Sequence, residues 1–154
     1  MAEDQNDVLI ENREIQNLIY TIREKQVMID SDLAILYQVE TKYLDKQRSR
    51  NADRFPEEFC FQLTKEEYKI LRCQNVTSKK ESGSGGRRYM PYVFKEQGIA
   101  MLSDVLKSDV AVEVNIKIMN SFVEMRKFLL FNKEMFARLD RVEIKLLHIF
   151  MIDF

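Results

Sequence analysis

The chain has 154 residues, of which 45% are hydrophobic and 32% are charged, and its formal net charge is −1. This composition fits one globular domain with an appendage and excludes wholesale disorder. No stretch approaches the roughly 20 apolar residues that cross a bilayer, and the first residues, MAEDQNDV, do not resemble a signal peptide. We therefore expect a cytoplasmic protein without a membrane partner, in which Cys60 and Cys73 are reduced thiols.

The small net charge conceals a strong asymmetry along the chain. Residues 1–41 carry three basic and nine acidic groups, residues 42–88 carry twelve and seven, and residues 89–154 carry nine of each. The middle third is therefore basic, and a local basic surface is what neutralises phosphates. The alternative on charge alone is an ordinary solvated surface.

The first third of the chain is predicted to contain an arm, a helix and a strand. Residues 1–11 lack periodicity and are predicted to be a flexible arm. From Asn12, Ile15, Leu18, Ile19 and Ile22 recur at helical spacing and predict a short amphipathic helix. The apolar run 26–29 then predicts a short strand, with Val27 and Ile29 on one side.

Residues 30–51 have the spacing of a helix-turn-helix. Asp30 or Ser31 is expected to cap a helix over 32–37, and Thr41 to cap a second helix that ends near Asn51. The turn carries Gln38 where this motif usually has glycine. The alternative is any two packed helices joined by a tight turn. The residues expected to point inward are Leu33, Leu36, Tyr37, Tyr43, Leu44 and Gln47.

The next elements alternate between strands and helices. A strand is predicted over 59–63, and the capping box Thr64–Glu67 predicts a helix that runs to about Arg72. Residues 73–86 are rich in Ser, Gly and Lys and predict a loop. A strand over 89–94 follows, in which Pro91 indicates an edge or a bulge. A helix is predicted over 95–107.

From about Val110 to the end, one heptad pattern continues without glycine or proline. It predicts a long helix whose last part is too apolar to stay monomeric in water, and we expect a homodimer. Asn132 lies at a core position, where it helps to set the register. The alternative is that the helix folds back on its own domain. The predicted oligomerisation residues are Asn132, Met135, Leu139, Val142, Leu146 and Ile149.

Two groups of residues are candidates for contact with duplex DNA. The second helix of the pair and the residues after it have the composition that suits a major groove. The loop offers donors, glycines for close approach and two arginines, which suit a phosphate backbone. The alternative for the loop is a plain surface segment. The helix group is Lys42, Lys46, Arg48, Arg50, Asn51 and Arg54, and the loop group is Thr77, Ser78, Lys79, Lys80, Arg87 and Arg88.

Catalytic chemistry finds little support in the sequence. The single histidine, His148, lies in the heptad helix, so we expect no histidine-based catalytic group and no metal site. No nucleotide-phosphate loop of the form G-x-x-x-x-G-K-[ST] occurs. We therefore expect a protein that is not an enzyme and that needs no cofactor.

Four segments taken together resemble a known family. The segments are VMIDSDLAILYQVETKYLDKQRSRN, RFPEEFCFQLTKEE, VTS…GGRRYMPYVFKEQGIAML and VNIKIMNSFVEMRKFL. They are similar to the ORF-six N-terminal domain of phages and prophages, in the group that includes the KilA-N and Bro-N domains, over about residues 12–131. The resemblance implies a DNA-binding regulatory module, common in antirepressor-like proteins. The basic positions that match are Arg48, Arg50, Arg54, Arg87 and Arg88.

These observations predict an α+β fold in which a small sheet is packed by several helices, including the helix-turn-helix-like pair. The domain would span residues 12–109, between the arm at 1–11 and a long helix at 110–154 that packs on the domain and then oligomerises. The predicted function is a DNA-binding regulatory protein of phage type. The alternative is an antirepressor-like module that binds a repressor or another regulator instead of DNA.

Overall fold

The computed structural model describes residues 14–74 and 89–152. Four strands and five α-helices follow one another in this part of the chain, so the predicted α+β class with a long C-terminal helix is confirmed. The arm predicted at 1–11 lies outside the described residues. The elements are β1 (Tyr20–Ile22), β2 (Lys25–Ile29), α1 (Asp30–Tyr37), α2 (Thr41–Arg50), a 3-10 turn (Ala52–Arg54), β3 (Cys60–Gln62), α3 (Lys65–Gln74), β4 (Tyr92–Lys95), α4 (Glu96–Leu106) and α5 (Asp109–Ile152).

The prediction of a helix that begins at Asn12 is wrong after residue 16. Residues 14–16 are helical, but Tyr20–Ile22 forms β1, which pairs with β2 as an antiparallel hairpin. The two turn residues, Arg23 and Glu24, have φ angles of 54° and 63°. Such turns usually contain Asn-Gly, because glycine reaches positive φ without steric cost. Arg-Glu gives no such signal, so the apolar spacing alone suggested a helix.

The strands form one antiparallel sheet in the order β1-β2-β4-β3. β4 is therefore central, and the edge position predicted from Pro91 is wrong. Pro91 lies one residue before β4, where its missing N–H removes no bond between strands. Its carbonyl instead accepts a hydrogen bond of 3.0 Å from the Leu63 N–H.

Both faces of the sheet are buried because helices cover each of them. Met28 and Phe94 are paired across β2 and β4 and point into the main core with Cys60. That core also takes residues from α1, α2, α4 and α5. Val27, Ile29, Phe61 and Val93 alternate to the other face, where they pack with Leu71 and Tyr68 of α3. Val27 and Ile29 thus share one face, as predicted. The helix α3 lies across the sheet from the other four helices.

A buried polar network ties three helices together. The Tyr37 hydroxyl on α1 donates a hydrogen bond to the Asn115 side-chain oxygen on α5. The Asn115 amide donates at 2.8 Å to the Ile99 carbonyl on α4. Burial raises the pKa of the Tyr37 hydroxyl, so the hydroxyl remains protonated and remains a donor. The side chains of Tyr37 and Asn115 therefore keep their hydrogen-bond partners only while α1, α4 and α5 are packed together.

We expect Tyr37→Phe to lower the free energy of unfolding by about 2 kcal/mol. The substitution keeps the ring but leaves the buried Asn115 oxygen without its donor, and such a loss costs about 1–3 kcal/mol. Denaturant unfolding monitored by circular dichroism would measure the change. Tyr43→Phe is the matched control, because Tyr43 is 44% exposed. Equal stability of the two variants would contradict the role given to the network.

The predicted capping box is confirmed at the start of α3. The Glu67 N–H donates to the Thr64 hydroxyl at 3.1 Å, and the Thr64 N–H donates to the Glu67 carboxylate at 2.9 Å. Arg23, in the β1–β2 turn, also donates to this carboxylate through Nε and Nη2, both at 2.8 Å. The hydrogen bond from Arg23 is the main reason that the pKa of Glu67 falls to about 2. One carboxylate therefore starts α3 and fastens the helix to the hairpin.

The lowered pKa of Glu67 predicts a pH-dependent contribution to stability. A carboxyl group whose pKa is lower in the folded state stabilises above its unfolded pKa, near 4.5, and loses this contribution as pH falls toward 2. We expect Glu67→Gln, which preserves the capping geometry, to cost about 0.5–1 kcal/mol at pH 7, since Arg23 is 40% exposed to solvent. The difference from the wild type should shrink between pH 5 and pH 2.

Urea denaturation at several pH values would measure this difference. Glu66→Gln is the control, because this substitution removes the same charge from the same helical turn. Glu66 makes no ion pair within residues 14–74 and 89–152. A constant difference between Glu67→Gln and the wild type from pH 7 to pH 2 would contradict the charged interaction.

Candidate nucleic-acid interface

The predicted helix pair is present, with a tight turn between α1 and α2. Leu33, Ala34 and Leu44 are at most 1% exposed and pack between the two helices and the sheet. Gln38 ends α1 in the left-handed conformation, with φ 61° and ψ 41°. The chain thus adopts the backbone conformation that favours glycine, although a non-glycine residue pays about 1–2 kcal/mol for it.

Details at the two helix starts differ from the predictions. α1 begins at Asp30, two residues early, because its N-cap is Ile29. The Asp30 carboxylate accepts hydrogen bonds from the Ser31 N–H at 2.7 Å and the Tyr92 N–H at 3.3 Å, which joins α1 to β4. The N-cap of α2 is Glu40, and Thr41 is its first residue. Neither N-cap residue makes a side-chain capping bond. Tyr43, predicted to point inward, is exposed.

One side of α2 carries a row of exposed cations. Lys42, Lys46 and Arg50 are spaced four residues apart, so they share a face of the helix. This face lies opposite Leu44, which is fully buried. None of the three cations makes an ion pair with a residue in the described ranges. The row, which we call the α2 basic face, is therefore available to an external anion.

Arg48 lies on a different side of α2 from this face. Its guanidinium stacks over the Tyr92 ring, 3.6 Å from the ring centroid, and its Nε lies 3.9 Å from an Asp45 oxygen. The side chain is 17% exposed. A partly desolvated cation over an aromatic face stabilises more than an exposed one. Arg48 thus anchors α2 to β4, and its position four residues from Leu44 was a sequence signal for this inward side.

Asn51 and Arg54 follow α2 and also have partners within the domain. The Asn51 side-chain amide donates a hydrogen bond of 2.9 Å to the Gln47 carbonyl. This bond provides a partner for one of the carbonyl groups at the C-terminal end of α2. Arg54 lies 3.8 Å from Asp104 on α4, and both side chains are more than half exposed. An exposed ion pair of this kind contributes little, so Arg54 can exchange Asp104 for another anion.

The predicted loop contacts fall outside the described part of the chain. Thr77, Ser78, Lys79, Lys80, Arg87 and Arg88 all lie between the described ranges. The described chain stops at Gln74 and resumes at Tyr89. Just after this point, the Met90 carbonyl accepts a hydrogen bond of 3.0 Å from the Gln62 side chain. The described chain therefore resumes beside the ends of β3 and β4, where Gln62 and Tyr92 pair.

A second basic surface, on α3, was not predicted. Lys65, Lys69 and Arg72 line a shallow concave surface together with Tyr68, Cys73 and Met90. We call this set the α3 basic surface. The i, i+4, i+7 spacing of the three cations indicates that they share one side of the helix, but the capping box predicted only where the helix starts. Met90 lies two residues before Tyr92, on which Arg48 stacks, so the segment Tyr89–Tyr92 connects the α3 surface to α2.

The other reactive side chains are two cysteines, of which Cys73 lines the α3 basic surface, and one histidine. Cys60 and Cys73 are free thiols, and burial raises the pKa of Cys60 to about 12, which keeps it in the unreactive neutral form. His148 lies exposed on α5. Within the described ranges, no cluster of His, Cys, Asp or Glu has the grouping that a metal ion needs. None of the described helices has the length and apolar content to cross a membrane.

Comparison with known proteins identifies one family. The family model described as the ORF6N domain matches residues 17–105, which include every strand and the helices α1–α4. The match covers more than half of the chain and includes both basic surfaces. No curated protein and no solved structure gives a match to this chain.

Proposed function

Since the chain belongs to the phage-associated ORF6N domain family, we propose that it is a regulatory protein that binds duplex DNA through the α2 basic face. The observation that carries the proposal is the exposed row of Lys42, Lys46 and Arg50, which has no ion pair with the described residues and lies on the second helix of a helix-turn-helix-like pair. The family match supports a role in phage biology, and the geometry of this row supports DNA as the ligand.

The shape of the α2 face suits a major groove. The groove is about 12 Å wide and accepts one α-helix. A row of three cations along ten residues of helix spans roughly 12 Å between its first and last members, which is long enough to meet several phosphates. The two lysines act as point charges on the backbone, whereas Arg50 can bind the two acceptor atoms of a guanine edge.

The packing behind α2 supports a fixed orientation of this face. Leu44 is buried on one side of the helix, and Arg48 holds a second side against Tyr92. A contact helix that is held rigidly loses little entropy when it binds. We therefore assign Arg48 and Asn51 to the support of α2, and Lys42, Lys46 and Arg50 to direct contact. Arg54 contributes by exchanging its exposed partner for a phosphate.

The α3 basic surface and the predicted loop extend the proposed contact. The loop residues Lys79, Lys80, Arg87 and Arg88 join the α3 surface in the sequence, because the loop begins directly after α3. Their charges would add phosphate contacts beyond those of α2, with no information about base sequence. This proposed role requires no catalytic step and no cofactor.

Fluorescence anisotropy with a mixed-sequence DNA duplex, titrated at several salt concentrations, tests the proposal. Neutralising about five to nine phosphates predicts a slope of log K against log salt of roughly −4 to −8. No binding at about 50 mM salt would exclude DNA as the ligand of this chain.

A second candidate function has its own supporting observation. The C-terminal half of α5 exposes large apolar side chains, such as Phe136 and Leu147, which would suit a protein partner. In that case the chain is an antirepressor-like module that binds a repressor or another regulator. Salt-dependent binding to DNA by the isolated chain favours the first candidate, whereas its absence together with association with a repressor favours the second.

A further inference from the structure

The long helix α5 has two halves with different surroundings. In the first half, Ala111, Ile118 and Phe122 are at most 1% exposed in the main core. Near the end of this half, Arg126 makes an ion pair with Glu96 of the domain. Among the described side chains from Phe128 to Met151, thirteen large apolar ones are exposed. A single soluble chain rarely exposes so large an apolar surface, so this half is expected to be covered in solution.

The heptad pattern identifies a seam along the exposed half. Asn132, Leu139 and Leu146 occupy the first core position of each heptad, called a, and Met135, Val142 and Ile149 occupy the second, called d. These six residues form a stripe along about 27 Å of helix, at 1.5 Å per residue. Alternating spacings of three and four residues are the pattern that pairs a helix with other helices of the same kind. The occupant that fits best is therefore another copy of this chain.

The charges beside the seam favour a parallel arrangement. Arg138 and Lys145 occupy the g positions, and Glu143 occupies an e position. In a parallel assembly, each g residue faces the e residue of the following heptad on the neighbouring helix, so Arg138 faces Glu143 of a second copy. In an antiparallel assembly, g residues face one another, and Arg138 and Lys145 would repel their counterparts. Such pairs set the orientation of coiled coils.

The seam residues also indicate how many helices assemble. Leucine at a with isoleucine at d favours three or four helices. Leu146 and Ile149 have this arrangement, and Leu139 is followed by the β-branched Val142. Phe136 at an e position widens the apolar stripe on one side. Asn132, which favours a defined register, occupies only the layer next to the domain. The four apolar layers therefore outweigh one polar position.

We propose that three or four copies of the chain assemble into a parallel bundle through residues 128–152 of α5. The ORF6N domains then lie at one end of the bundle, since α5 leaves every domain in the same direction. Each domain presents one α2 basic face, so several weak contacts with DNA act together and raise the overall affinity. The assembly needs no DNA, so its test is independent of the proposed DNA binding.

Light scattering of the full chain without DNA, at tens of micromolar, measures the assembly directly. The mass of one chain is 18.4 kDa, so three or four chains give about 55 or 74 kDa. A mass of about 37 kDa would leave the dimer expected from the sequence and overturn the larger bundle. A mass of about 18 kDa would overturn self-association altogether.

Two matched variants test whether the seam is responsible. Leu139→Asp with Leu146→Asp places charges at two a positions and is expected to reduce the mass to that of a monomer. Ile144→Asp with Met151→Asp makes a similar chemical change at two f positions on the outer side, and the assembly should persist. All four side chains are exposed in the single chain, so neither variant should disturb the domain. Equal effects of the two variants would contradict the assigned seam.

A disulfide experiment tests the orientation. Ile149→Cys in a Cys73→Ser background places one new thiol near the end of each helix, and Cys60 is buried. In a parallel bundle the new thiols of neighbouring copies lie side by side, so oxidised glutathione should produce covalent dimers. An assembled protein that forms no such dimers would overturn the parallel arrangement.

Discussion

Replacing Lys42, Lys46 and Arg50 together with alanine is expected to weaken binding to duplex DNA about 100-fold, which is about 2.8 kcal/mol. Each lost phosphate contact lowers the salt slope by about 0.9, so the loss of the two lysines should make the slope shallower by roughly 1.8. The three side chains are exposed and do not contribute to the core. The variant should therefore unfold at the same denaturant concentration as the wild type.

The control for this variant must remove the same charge elsewhere. Lys127, Lys133 and Arg141 are exposed on α5 and lie outside the a and d positions. Replacing these three with alanine should change the affinity for DNA less than threefold, since long-range screening limits the influence of distant charges. Anisotropy titrations of both variants at the same salt concentrations provide the comparison. If both variants lose affinity equally, the effect is due to net charge, and the α2 basic face is not the contact.

Replacing Gly98 with alanine is expected to lower the free energy of unfolding by about 2–3 kcal/mol. A Cβ atom at this position would lie 2.4 Å from the Phe59 carbonyl oxygen. That oxygen also accepts a hydrogen bond of 2.9 Å from the Lys95 N–H, at the end of β4. It therefore cannot move without breaking this hydrogen bond. Overpacking of this kind typically costs 1–3 kcal/mol. It reverses the gain of about 1 kcal/mol that alanine normally has over glycine in a helix.

Gln97→Ala is the matched control for the Gly98 substitution. Gln97 is the neighbouring residue on α4 and is exposed, so alanine adds no contact and changes stability by only a few tenths of a kcal/mol. Thermal and denaturant unfolding of the two variants measure the difference. If the Gly98→Ala variant is as stable as the wild type, the Phe59 backbone can move away from α4 with little loss of stability.

Local patterns in the sequence predicted several parts of the fold. The Thr64–Glu67 pair marked the start of α3, because a capping box depends on side chains three residues apart in one segment. The spacing of Leu33, Ala34 and Leu44 predicted the helix pair for the same reason. The continuous heptad pattern predicted α5, although the predicted DNA contacts and the partner of α5 stay predictions. Interactions between close neighbours in the chain are therefore readable without the fold.

Other features depend on residues that are distant in the sequence. The spacing of Arg48 from Leu44 indicates the inward side of α2, but its stacking partner, Tyr92, is 44 residues later in the chain. β1 had a helical pattern, and pairing with β2 through a turn of Arg23 and Glu24 made it a strand. Gly98 lies within α4, where glycine is unfavourable, and the approach of Phe59 explains why no larger residue fits.

Patterns within single segments were enough to predict the start of α3, the charged side of α2 and the apolar side of α5, since these features depend on residues that are close in the chain. The tertiary structure was needed to show which cations have partners inside the domain. It joined Arg23 to Glu67 and Arg48 to Tyr92, and left Lys42, Lys46 and Arg50 exposed. The physical reason is that a charge is available to an external anion only when the fold supplies no partner, and that depends on packing between distant segments.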